Sequence, residues 1–149
     1  MYSIQPILLL VSLVSMTSCT WVPVFQRQAQ LVPAKTIDGE PAAAPDEVQS
    51  TIKEILNAVA KRHGLEACPS LLHPKRELGR FCSPGEGILY TLIVSATRIN
   101  GTFRIQLEDA DRNAFWKAKE SDRARRIWSD LYLQLNAVFP GRISETTKP

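Results

Sequence analysis

Only two histidines and three cysteines occur in the 149 residues. His73 lies near Cys68, but no CxxC pair completes a zinc ligand set around it. Patterns of the GxSxG, HExxH, Walker and dinucleotide-fingerprint type are missing as well. The chain therefore reads as non-catalytic, with no metal and no cofactor. Charge of one sign is also scarce, since a net charge of +3 and a pI near 8.9 are only mildly basic. With aromatics at 7% and mostly committed to apolar stripes, a nucleic-acid partner is not expected. The longest apolar run, Ile7 to Met16, is about ten residues, half of what a bilayer span needs. A chain of this length holds one domain and no second full core.

What is present begins with that run. MYSIQPILLLVSLVSMTS carries no charged side chain and ends in small polar residues, the pattern of a secretory leader. Residues 1–18 are read as a signal peptide. The tetrapeptide Met16-Thr17-Ser18-Cys19 resembles a bacterial lipobox, in which the cysteine is acylated and becomes the new N-terminus. The resemblance implies a lipoprotein lipidated at Cys19. With Thr20 rather than Asp next in line, it further implies an outer-membrane protein facing the periplasm. Ordinary cleavage near Thr17 or Ser18, leaving a soluble exported protein, is the alternative.

Residues 19–45 carry four prolines and no sustained period, and read as the lipidated N-terminus and a flexible tether. Within it Trp21, Val22, Val24 and Phe25 suit either the membrane interface or an edge segment packed on the domain. A domain is expected over 46–141. It opens with a helix whose Val48, Ile52, Ile55, Leu56 and Val59 form one apolar stripe. Pro45 suits its first turn, Asp46 and Glu47 its N-terminal dipole, and Gly64 its C-terminal stop. His63 falls where a helix end favours positive charge. The proline-broken stretch that follows holds Cys68 and Cys82, expected to form a disulfide in an oxidising compartment. Setting Cys19 aside for lipid leaves that even pair.

ILYTLIVSATRINGTFRIQLED folds on itself at Asn100-Gly101, a pair that takes positive φ at both positions of a type I′ turn. Phe103, Ile105 and Leu107 then lie opposite Arg98, Ala96 and Val94, with Leu92 and Tyr90 continuing that side, so one face is mostly apolar. Asp109 and Asp111 beyond it lack the glycine and remaining ligands of a calcium loop. A third strand is expected with Ala114, Trp116 and Ala118 pointing inward. The last helix has a stripe of Ala124, Ile127, Trp128, Leu131, Leu135 and Val138, capped by Ser121 and stopped by Pro140-Gly141. Residues 142–149 are expected to be a disordered tail. The sum is an α+β fold. It is a two-layer sandwich in which an antiparallel sheet, containing the Asn-Gly hairpin, carries two amphipathic helices on one face.

RIQLEDADRNAFWKAKES before a final amphipathic helix is similar to a segment of small α/β envelope lipoproteins. Activators of peptidoglycan synthases and the curli-secretion lipoproteins are examples. That resemblance implies a fold and carries no functional residue across.

From Arg112 to Arg126 six basic residues, Arg112, Lys117, Lys119, Arg123, Arg125 and Arg126, face two acids, Glu120 and Asp122. Positive charge in a helix's first turn opposes its dipole. This cluster is the candidate patch for an anionic envelope component or an acidic protein surface. The expected function is a lipid-anchored periplasmic interaction module, accessory to a cell-envelope complex, with an envelope protein as partner. The alternative is an exported soluble ligand-binding domain or small enzyme.

Overall fold

The computed structural model describes residues 24–32, 45–69, 76–84, 92–110 and 120–148. In chain order the elements are β1 (Phe25–Leu31), α1 (Pro45–Arg62), β2 (Glu66–Ala67), β3 (Glu77–Cys82), β4 (Leu92–Ile99), β5 (Thr102–Asp109), α2 (Asp122–Val138) and β6 (Ile143–Lys148). The strands form one antiparallel sheet in the order β2-β3-β4-β5-β1-β6.

Local chemistry accounts for the helices. α1 ends in a Schellman arrangement: Leu65 N–H donates to the Ala60 carbonyl at 2.9 Å and Gly64 N–H to that of Lys61 at 3.5 Å. Gly64 supplies the required positive φ of 62°. Its apolar stripe, Val48 to Val59, is buried as the spacing predicts. α2 starts where the Ser121 hydroxyl accepts from Ala124 N–H at 3.1 Å. Ala124, Ile127, Trp128, Leu131 and Leu135 are buried along it. Val138, expected on the same stripe, is half exposed; Phe139, one residue on, takes the buried place at the helix end.

β4 and β5 are joined at Asn100 and Gly101, with φ of 48° and 79°. Arg98, Ala96 and Val94 pair with Phe103, Ile105 and Leu107. One row of partners crosses the sheet and locates both helices: Gly79, Ala96, Ile105, Ala29 and Glu145. At one end of the row a Cβ on Gly79 would lie 3.8 Å from Leu56 of α1. At the other, Trp128 of α2 donates from Nε1 to Glu145 Oε1 at 2.6 Å. Alternation keeps the row on one face, so both helices cover that face, and Phe103, Ile105 and Leu107 beneath them are fully buried.

Two expected boundaries are corrected. The tether 19–45 contains β1, an inner strand paired with both β5 and β6. Its FQRQAQL pattern puts Phe25, Ala29 and Leu31 in the core, while Arg27 on the same face and the glutamines opposite mask the alternation. The disordered tail 142–149 contains β6, an edge strand held by its ladder to β1 and by half-buried Ile143. The domain therefore runs from Phe25 to Lys148. The strand expected at Ala114 to Ala118, together with Tyr90 and His73, lies outside the described residues.

Candidate functional site

Chain connectivity gathers several candidate features at one end of the fold. β1 starts there, β3 and β5 end there, α1 finishes and α2 begins. Cys68 and Cys82 are bonded at this end, with Cα atoms 5.8 Å apart. The bond reinforces a short edge: Glu66 and Ala67 pair with Cys82 and Phe81, and Cys68 N–H donates to the Arg80 carbonyl at 3.1 Å.

The basic cluster divides. Arg112, Lys117 and Lys119 lie outside the described residues, as does Cys19. Arg123 is used inside the fold: Nη1 donates to Ser83 Oγ at 2.8 Å and Nη2 to the His63 carbonyl at 3.1 Å. It straps the start of α2 to the ends of β3 and α1. Arg125 lies 3.4 Å from Asp122 and 3.5 Å from Glu120 while remaining 60% exposed. Arg126 is exposed and has no partner among the described residues. Of these three arginines, Arg126 is the one without a partner among the described residues, and Arg123 meets neutral acceptors.

Beside them lies a buried-face ion network absent from the sequence reading. Arg27 of β1 donates from Nε to Glu120 Oε1 at 2.5 Å, from Nη2 to Glu120 Oε2 at 3.0 Å, and from Nη1 to Glu145 Oε1 at 2.7 Å. The Glu120 hydrogen bond chiefly, with Glu145 and against the opposing effect of burial, raises the guanidinium above its ordinary value. Arg27 is therefore a fixed cation, and Glu145, one of the two glutamates that hold it, also accepts from Trp128 Nε1. Asp109 serves the same corner, accepting from Ser121 N–H at 2.7 Å, which ties the end of β5 to the cap of α2.

The same corner holds His63, one of the two histidines of the chain. His63 Nε2 lies 2.9 Å from Asp130 Oδ2, with Arg62 on the same oxygen at 3.4 Å. The nearby Ser83 hydroxyl accepts from Arg123, and among the described residues no hydrogen bond joins it to the imidazole. The corner is built to hold elements together.

The sheet's other face is polar. Gln26, Gln28 and Gln30 of β1 lie beside Glu108, Gln106 and Arg104 of β5. Gln26 Nε2 donates to Glu108 Oε1 at 3.3 Å, and Arg104 Nε is buried without a hydrogen-bond partner. The alternation of β4 and β5 already marks this face in the sequence, whereas the contribution of β1 is visible only in the fold. Compared with known proteins, the chain matches no family model, no curated protein and no solved structure.

Proposed function

We propose that this chain is a lipid-anchored envelope module that acts by binding, as an accessory of a larger envelope assembly. The observation that carries the reading is the partition of the cysteines. Cys68 and Cys82 are joined within the domain, which leaves Cys19 alone behind an uncharged apolar leader. A disulfide persists where the compartment is oxidising, which agrees with export. The acylated cysteine faces the periplasm from the outer membrane, and the partner is an envelope protein.

The position of β1 changes what the anchor does. Only residues 20–24 separate Cys19 from the sheet, a reach of about 20 Å when fully extended. The domain is held close to the bilayer with the α2 N-terminal end toward it. Arg126 and its neighbours there meet the anionic headgroup region, and the Asn100-Gly101 end points away. Incorporation of labelled palmitate into wild type and Cys19→Ala, followed by membrane fractionation and identification of co-purifying proteins, tests the reading. Equal labelling of the two proteins overturns it.

A second reading is an exported soluble ligand-binding domain or small enzyme. One observation favours it, the buried Arg104 Nε on the polar face beside the glutamines, which has no hydrogen-bond partner among the described residues. Small-molecule binding retained by Cys19→Ala and lost in Arg104→Ala supports that reading over the first.

A further inference from the structure

Two arginines oppose each other at the hairpin end of the sheet, and among the described residues no acid pairs with either. Glu77 of β3 pairs with Thr97 of β4. Extending that antiparallel register by one residue sets Arg76 across from Arg98, and the Arg98 amide donates to the Arg76 carbonyl at 2.8 Å. Directly opposed residues of such a pair have Cβ atoms about 5 Å apart, and like charges there are destabilising. Neither guanidinium has an ion-pair or hydrogen-bond acceptor among the described residues. Arg98 instead rests over the buried Phe103 ring, its Cζ 5.9 Å from the centroid, which restricts where its charge can go. Both arginines line an open cavity of about 350 Å³ with Ile99, Asn100 and Gly101.

We propose that this cavity binds a phosphomonoester between Arg76 and Arg98. Two positive charges, neither paired with an acid among the described residues, match the roughly −1.5 to −2 of such a group near neutral pH, whereas a carboxylate would neutralise one. Each guanidinium presents a planar fork suited to paired phosphate oxygens. The volume falls at the small end of ligand cavities and exceeds what a phosphate fills, leaving room for the moiety it esterifies. Asn100, exposed at the turn, brings a neutral amide to the same wall. The site does not depend on lipidation at Cys19.

Calorimetric titration of the full chain in non-ionic detergent with glycerol 3-phosphate tests this. One saturable site is expected, weakened at least about tenfold in Arg76→Glu and in Arg98→Glu and largely kept in Arg76→Lys. Lys53→Glu, a charge reversal on the exposed side of α1, is expected to bind like wild type. Near-UV circular dichroism identifies any variant that has lost its fold, and Arg76→Glu, whose side chain touches no core residue in the contacts above, is the decisive one. Unchanged affinity in a folded Arg76→Glu protein overturns the proposal. So does equal loss in Lys53→Glu, or acetate competing as well as the phosphomonoester. A second arm uses neutral vesicles with and without phosphatidic acid. Arg76-dependent recruitment to the acidic vesicles supports the site with a lipid headgroup as its source. Glycerol 3-phosphate binding without recruitment supports it with a soluble ligand.

Discussion

Arg27 and Glu120, 93 residues apart, meet in a two-pronged contact on the helix-covered face of the sheet, Nε to Oε1 and Nη2 to Oε2. The arginine comes from an inner strand, and the carboxylate from the residue before the cap of α2. Glu120 is 9% exposed and so has little water to replace a lost partner. The pair fastens β1 to the start of α2, and Glu145 draws β6 into the same joint.

Arg27→Ala should therefore lower stability by about 2–3 kcal/mol, less than for a fully buried pair because Arg27 keeps some exposure. Arg27→Lys, which keeps charge but loses the fork, should fall between the two. Urea midpoints of the three proteins measure this. An alanine variant as stable as wild type would mean that the joint contributes nothing.

The raised value of Arg27 predicts how that contribution depends on pH. A cation whose folded value lies above its unfolded one stabilises fully below the unfolded value. The stabilisation is lost as pH rises through the folded value. Both lie in strong alkali. The gap between wild type and Arg27→Ala should then be the same at about pH 7 and about pH 10. Unfolding curves at the two pH values check it, and a gap that closes by the higher one contradicts the assignment.

Removing the disulfide with Cys68→Ser plus Cys82→Ser should cost about 3 kcal/mol, the loop-closure value for 14 residues of separation. Urea unfolding measures the loss. Thiol titration of the unreduced protein gives the pairing directly, and free sulfhydryls at both positions would refute it.

A chain beginning at residue 46 should fail to fold, because it lacks the strand that pairs with both β5 and β6. One beginning at residue 20 should fold cooperatively. Thermal melts followed by circular dichroism separate the outcomes, and a cooperative melt for the shorter chain would make β1 dispensable.

Without ligand, Arg76→Ala should raise the melting temperature by about 1–3 °C by relieving the cation pair with Arg98. Glycerol 3-phosphate should raise the melting temperature of wild type and leave that of the variant unmoved. Scanning calorimetry with and without the phosphomonoester reads both effects.

The elements legible in the chain are those whose signal is local. Val48 to Val59 and Ala124 to Leu135 repeat at the helical period, and the residues that cap them are within one turn. Asn100-Gly101 sets the register of its flanking strands because a two-residue turn leaves them one way to pair. Cys68 and Cys82 could be paired once Cys19 was set aside. β1 was not legible, since Arg27 occupies a core-facing position and is acceptable there only through Glu120 and Glu145. β6 was not legible because ISETTK is polar and is held by backbone bonds to a strand over a hundred residues earlier.

The candidate site divides along the same line. Arg123 in the sequence is one of six basic residues, and its commitment to Ser83 and the His63 carbonyl needs three elements to converge. Arg98 did leave a mark, as one of two charged residues, with Asp109 at the opposite end, among the hairpin positions on the core side. Its opposition to Arg76 could not be read, because β3 and β4 are separated by a loop whose length does not specify their register.

Periodicity and turn chemistry act over a few residues, so composition and spacing were enough for the two helices, the hairpin and the α+β class. Strand order, the two strands at the chain ends and the cation pair depend on backbone and charge partners far apart in the chain. Such partners are chosen when the core closes over Phe103, Ile105 and Leu107, because only then does each buried polar group need a specific neighbour.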